Sequence, residues 1–179
     1  VLHLAPLWGR FAQAYPKVSL DIELSDRVVD LVEEGYDLAV RITNLGNSQL
    51  VSRQLASTRM VACASPQYLA EHGTPAQPAE HAPDNSPIVV RTQARIHANN
   101  GDTCRAAALD HQGIILQPDF LVAEDLRRGD LVELMPAYRA MTLGIHAVYP
   151  SRKHLPIKTR RLIDFLVEAF ARPRWNTAH

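Results

Sequence analysis

Residues 15–41, YPKVSLDIELSDRVVDLVEEGYDLAVR, constrain the fold of this chain more than any other stretch. Val18, Leu20, Ile22 and Leu24 alternate with Lys17, Ser19, Asp21 and Glu23, the period-two pattern of a strand with one apolar and one polar face. Ser25 and Asp26 then offer side-chain oxygens to the unpaired amides that open a helix. Val28, Leu31 and Val32 give that predicted helix an apolar side, and Gly35 stands where a left-handed C-terminal cap would fall. Leu38, Val40 and Ile42 predict the next strand. A strand–helix–strand unit of this kind crosses over right-handed and leaves the helix N-terminus at the carboxyl edge of the sheet. Open α/β folds bind small ligands at that edge. The segment therefore predicts half of a ligand-binding cleft.

The rest of the chain continues the alternation. Leu4, Leu7, Trp8, Phe11 and Tyr15 recur at three- and four-residue spacing, an amphipathic helix that Pro16 ends. Gly46-Asn47-Ser48 reads as a turn, Leu50 to Ala56 as an extended connector and Arg59 to Ala64 as a strand. Ser65-Pro66 is a cap followed by a first-turn proline, and Gly73 stops that helix. Pro75 to Pro87 reads as a loop and Ile88 to Val90 as a short strand. Helices are predicted over Thr103 to Leu109, from Pro118-Asp119 to Gly129, and over Ile157 to Phe170. Strands are predicted over Ile114 to Leu116 and Thr142 to Tyr149. Strands alternating with helices argue an α/β fold with mainly parallel sheets.

With 179 residues the chain can bury a core as one domain or two small lobes. Nineteen Lys plus Arg balance nineteen Asp plus Glu, which leaves none of the basic excess that phosphate neutralisation demands of a nucleic-acid binder. The densest basic groups are SRKH at 151–154 and KTRR at 158–161, the latter on a helix whose other face is Leu162, Phe165, Leu166 and Ala169. No apolar run approaches a membrane span, so no membrane partner is expected. Cys63, inside an apolar run, reads as an inert buried thiol, and Cys104 falls near a helix start. Cysteine usage this sparse fits a reducing cytoplasm.

Four segments carry a family resemblance. YPKVSLDIELSDRVVDLVEEGYDLAVRI resembles the first lobe of the effector-binding domain of LysR-type transcriptional regulators, and RMVACASPQYLAEHGTPAQPAEH the entry into the second. NNGDTCRAAALDHQGIILQPDFLVAEDL and HAVYPSRKHLPIKTRRLIDFLVEAF resemble the later segments, in the right order and over nearly the whole chain. The resemblance implies a two-lobed, type II periplasmic-binding-protein-like α/β fold. Lobe I would be residues 1–58 plus 153–179 and lobe II residues 59–152, with crossings near 56–59 and 150–153 acting as a hinge. It also implies a small-molecule effector, a homodimer through this domain, a tetramer in the full-length protein, and DNA contact only through an N-terminal winged helix-turn-helix absent from this chain. In the family, the first helix and the following strand pair with the second lobe of another subunit. That places Leu4, Leu7, Trp8, Phe11, Asp21 and Glu23 at a dimer interface, although core packing explains the same apolar pattern. Family members begin this domain with a strand and short loop ahead of the helix that here starts at Leu2, and carry a longer segment where this chain has only Arg91 to Ala94.

The sequence offers little for catalysis. It has no Gly-rich phosphate loop, no Gly-x-Ser-x-Gly elbow and no His-Glu-x-x-His pair. Its eight histidines include none at zinc-ligand spacing with a second ligand, so neither a metal nor a cofactor is expected. His97 and His146 fall in predicted strands, where a hydrogen-bonded structural imidazole is expected, and His111 at a helix end. Asp119, Glu124 and Asp125, near a helix start, read as capping and solvation.

Helix N-termini are the better candidates for binding. Ser25 and Asp26 open one predicted helix; Asn100, Gly101, Asp102 and Thr103 open another, with Gly101 allowing close backbone approach. Two such helix starts would favour a small carboxylate held by hydroxyls and amides, and Arg41 could pair it bidentately. Ser25 and Asp102 could equally cap their own helices, and Arg41 could form a surface ion pair. A solute-binding protein of a transporter shares the expected architecture and is the alternative reading.

Overall fold

The computed structural model of this chain describes residues 3–25, 27, 29–43, 51–75, 95–138, 141–150 and 155–171. The chain forms two compact units, Val1–Ser57 with Leu143–His179, and Thr58–Thr142.

The first unit is built on α1 (Ala5–Ala14), β1 (Ala39–Thr43), the start of β2 (Val51–Ala64), β5 (Thr142–Tyr149) and α5 (Ile157–Phe170). In α1 the three- and four-residue spacing turns Leu7 and Phe11 inward, and Pro6 occupies the first turn, where its missing amide costs nothing. Phe11 is fully buried and meets Phe165 of α5 edge-to-face, with ring centroids 5.4 Å apart. The core joins Leu7, Leu55, Ile145, Ala147, Tyr149, Ile163, Leu166 and Phe170. Leu4 and Trp8 pack half-buried against the same core. Leu7 and Phe11, expected at a dimer interface, thus fill the interior of their own unit.

The second unit contains the remainder of β2, α2 (Pro66–His72), α3 (Gly101–Leu109), β3 (Ile115–Pro118), α4 (Asp119–Arg128) and β4 (Val132–Glu133). Ser65 caps α2 by accepting from the Tyr68 amide at 3.3 Å, and Gly129 ends α4 in the left-handed region at φ +76°. Val61, Cys63, Ala108, Val122 and Leu131 make one apolar cluster; Ala64, Leu69 and Leu134 make a smaller one.

The ladders of given register are antiparallel. β1 runs against β5 with Arg41 opposite His146 and Thr43 opposite Gly144. β2 pairs with β3 (Val61 opposite Gln117) and with β4 (Ala64 opposite Val132). β5 lies between β1 and β2 in strand order. Connector and strand, read as separate pieces, are one continuous β2.

The first crossover departs most from expectation. Val18–Leu24 forms no ladder, and its Ile22 and Leu24 are exposed. The helix expected after Ser25 is a turn over Leu31–Gly35, held by the Glu34 amide donating to the Asp30 carbonyl and the Tyr36 amide to that of Leu31. Asp30 is the reason: its carboxylate accepts from the Val32 and Glu33 amides at 2.9 and 3.1 Å, starting the turn five residues later than Ser25 would. Val29, and Val28 beside it in sequence, are β-branched and lose rotamer freedom in a helix. The expected turn at Gly46-Asn47-Ser48 and strand at Ile88 to Val90 lie outside the described residues, as do Asp26 and Arg91 to Ala94.

Asp125 also departs from its sequence reading. It is 0 % exposed, and Arg105 of α3 donates to both of its oxygens at 2.5 Å. Arg128 lies 3.7 Å away. The carboxylate thus locks α3 to α4 rather than being solvated. Breaking a buried pair leaves a charge without its partner, at about 3–5 kcal/mol when both groups are fully buried. Because Arg105 retains some contact with water, Asp125→Ala should lower the urea-unfolding free energy by roughly 2–3 kcal/mol. Glu124→Ala, at an exposed neighbour, should change it by less than about 1 kcal/mol.

Candidate functional site

Within the first unit, chemistry gathers at the β1–β5 ladder. Side chains on neighbouring strands at paired positions share a face, so Arg41 and His146 stand side by side. The Arg41 guanidinium is half-buried and donates to the Val29 carbonyl, tying β1 to the turn that follows Ser25. No carboxylate pairs with Arg41 among the described residues. Asp30 and Glu34 are engaged locally: Glu34 takes the Asp30 amide and both arms of Arg27. Ser25 is exposed and accepts from the Arg27 amide at 3.2 Å, so it organises its own loop.

His146 was expected to be a hydrogen-bonded structural imidazole. Its Nδ1 is instead buried with no partner among the described residues. The ring lies over Gly144, where a Cβ would collide with it. Burial holds the imidazole below the ordinary histidine value of 6.5, favouring the neutral ring. The sequence signal was the small residue at 144, two positions before the histidine and hence on the same face of the strand.

In the second unit Asn100 is the N-cap of α3. Its Oδ1 accepts from the Thr103 amide at 3.0 Å and from the Thr103 hydroxyl at 3.2 Å. Asp102 is exposed in the first turn, where a carboxylate suits the helix dipole. Gly101 has a packing reason: a Cβ there would sit 2.8 Å from both Gln117 Oε1 and Leu121 Cδ2, so the glycine lets α3 start tightly against β3 and α4. Asn100 to Thr103 are thus one capped start, with Cys104 half-buried in the same helix. Ser25 and Arg41 belong to the first unit and these four to the second; Asp26 is outside the described residues.

Asp119 and His111, also singled out in the sequence, have structural partners. Asp119 accepts from the Thr58 hydroxyl at 2.7 Å and the Arg59 amide at 3.3 Å, which fixes α4 to β2. His111, just past α3 at φ +61°, is hydrogen-bonded through Nδ1 to Ser65 Oγ at 2.8 Å. This serine–histidine contact resembles a nucleophile and base, but Ser65 is 1 % exposed and already caps α2. His97 sits in irregular backbone rather than the expected strand. Burial pushes the Cys63 thiol up to about 12, the inert behaviour its apolar surroundings predict. Among the described residues no three metal-ligating side chains cluster, and no helix is long and apolar enough to cross a membrane.

Comparison with known proteins decides the family. The profile of the LysR substrate binding domain matches residues 1–85 and 85–171. The chain belongs to the LysR substrate-binding domain family. It is 31 % identical to the HTH-type transcriptional regulator DmlR of Escherichia coli, over 98 % of this chain and 64 % of that protein. It is 34 % identical to the HTH-type transcriptional regulator CrgA of Neisseria meningitidis serogroup B, over 94 % of this chain and 63 % of that one. The solved structure of the CrgA regulatory domain, a LysR-type transcriptional regulator from Neisseria meningitidis, superimposes with a TM-score of 0.79 at 33 % identity, covering 95 % of this chain and 93 % of that domain. The fold is accordingly the type II periplasmic-binding-protein-like α/β fold of LysR regulatory domains. The chain spans a little under two thirds of the length of the curated relatives it matches.

The His146 environment has a measurable consequence. Its folded pKa is depressed, so the unfolded chain binds the proton more readily. Stability from the neutral ring is therefore present above the ordinary value of 6.5 and declines as pH falls through the window below it. The unfolding free energy of the wild-type chain should fall more steeply below that pH than that of His146→Asn. Parallel urea-derived stability–pH curves for the two proteins would show that His146 titrates alike in both states.

Proposed function

We propose that this chain is the effector-sensing domain of a LysR-type transcription regulator of the cytoplasm, binding a small carboxylate-bearing molecule and altering subunit arrangement and DNA binding in response. The observation that carries this reading is the match of both halves of the chain to one regulatory-domain family, with helix-turn-helix regulators as relatives. Those relatives speak against the transporter solute receptor. DNA contact belongs to a helix-turn-helix segment of the complete protein, in keeping with a formal net charge of zero on these residues.

The role is non-enzymatic. Ser65 and His111 are committed to holding α2 and the end of α3 together. Arg41 is the main anion-recognising group of the first unit, since its guanidinium is anchored by a backbone carbonyl and has no acidic partner among the described residues. His146 joins it as a neutral hydrogen-bonding group on the same face. Ser25 and Asp26 in the first unit, and Asn100, Gly101, Asp102 and Thr103 in the second, complete the proposed contacts. Exposed Asp21 and Glu23 and half-buried Leu4 and Trp8 remain the proposed homodimer surface, within a full-length tetramer. Signalling requires that the effector favour one arrangement of subunits over the other, because equal affinity for both would shift nothing.

Thermal denaturation against a panel of small organic acids tests the reading. A ligand at a hundred times its dissociation constant should add about 2.7 kcal/mol of stability. Arg41→Leu should abolish that gain, and Asn100→Ala should reduce it by half or more. An unchanged gain in Arg41→Leu, Ser25→Ala and Asn100→Ala would overturn the residue assignment. The absence of any stabilising acid would count against a carboxylate effector.

A further inference from the structure

The opposite face of β5 carries a second feature, which the effector reading does not use. In the first unit a half-open concavity of about 470 Å³ is walled by β2, the end of β5 and α5. Its size falls within the range of about 300–1,000 Å³ typical of small-molecule sites. Arg53 of β2, Tyr149 of β5, and Arg160 and Asp164 of α5 supply its polar groups. Leu155, Ile163 and Val167 supply an apolar wall. Side chains alternate along a strand, so Tyr149 falls with Ile145 and Ala147 on the core side of β5, away from His146 and Arg41.

Two observations mark this concavity as a binding site rather than a gap between side chains. Tyr149 lines it at 9 % exposure, and no hydrogen bond from its hydroxyl to another described residue competes with a ligand. Neither Arg53 nor Arg160 has an ion pair among the described residues, although Asp164 lies one helical turn from Arg160. Two guanidinium groups against one carboxylate leave a single positive charge, which suits a monoanion. The apolar wall beside them suits a hydrocarbon body.

We propose that this concavity binds a small monocarboxylate with a compact hydrocarbon body, its carboxylate held by Arg53, Arg160 and the Tyr149 hydroxyl and its body against Leu155, Ile163 and Val167. Asp164 discriminates against dianions by like-charge repulsion. The site shares no residue with the proposed effector contacts, and either proposal can fail without the other.

Calorimetric titration of the 179-residue chain with hexanoate, acetate and inorganic phosphate tests the proposal. Hexanoate should bind, with acetate at least about tenfold weaker because it lacks methylene groups to bury. Phosphate should fail to displace hexanoate. Arg160→Leu and Arg53→Leu alter exposed residues and should keep the wild-type melting profile while weakening hexanoate by about tenfold or more. Tyr149→Phe preserves the packing and should weaken it about three- to tenfold. Arg41→Leu, on the other face of the sheet, should leave the affinity within about twofold. The proposal is overturned if hexanoate does not bind or if acetate or phosphate binds equally well. It is likewise overturned if binding survives both arginine substitutions or is lost only in Arg41→Leu.

Discussion

The fourteen residues of β2 belong to two cores, and most of the described structure is hung on that strand. Leu55 is buried among the side chains of the first unit, while Val61 and Cys63 are buried in the second. Between them the side chain of Thr58 is fixed to Asp119 at the start of α4. Side chains alternate strictly along a strand, so a one-residue slip of β2 would expel Leu55 from one core and Val61 from the other. Thr58–Asp119 therefore acts as a register pin at the point where β2 passes from one unit to the next. The ladders to β3 and β4, and the seating of α4, follow from it.

Electrostatics divides the molecule into helix starts that are already satisfied and guanidiniums that are not. The turn after Ser25 has the Asp30 carboxylate on its amides, α3 has Asn100 and Asp102, and α4 begins with Asp119. An incoming anion at any of these places meets a negative or acceptor group already in residence. Arg105 is likewise consumed by Asp125, and Arg59 by Glu133. Arg41, Arg53 and Arg160 lack acidic partners among the described residues, and all three belong to the first unit. The balance of affinity thus moves away from helix N-termini, where the sequence places it, toward arginine side chains.

The elements legible in the sequence are those whose signals are local. The stripes of α1 and α5, the Ser65-Pro66 start of α2, the Gly129 stop of α4 and the alternation of β5 are each spelled by residues close together in the chain. The first crossover was not legible in the same way. Period-two alternation from Val18 to Leu24 reports two unlike faces, but it says nothing about whether a neighbouring strand is present to complete a ladder. Ser25 and Asp30 are both competent caps, and only the fold decides that Asp30 wins. Asp125 carried a signal of its own: it lies three residues after Val122 and one before Leu126, on the inward face of α4, where a carboxylate must find a cation. Glycine carried a similar ambiguity at 101, where the small residue serves packing against Gln117 and Leu121.

β5 brings these threads together because its two faces have different tasks. Ile145, Ala147 and Tyr149 close the core against α5, whereas Gly144 and His146 face the other way beside Arg41. The antiparallel register with β1 sets which histidine stands next to which arginine. Substitutions that keep this register can tune one face without disturbing the other, since the sheet separates them. A one-residue insertion in β5 would do the reverse, turning His146 into the apolar core and Tyr149 away from it. Ligand recognition and core stability in the first unit are in that sense properties of a single strand alignment, and a variant that shifts β5 by one residue must lose both.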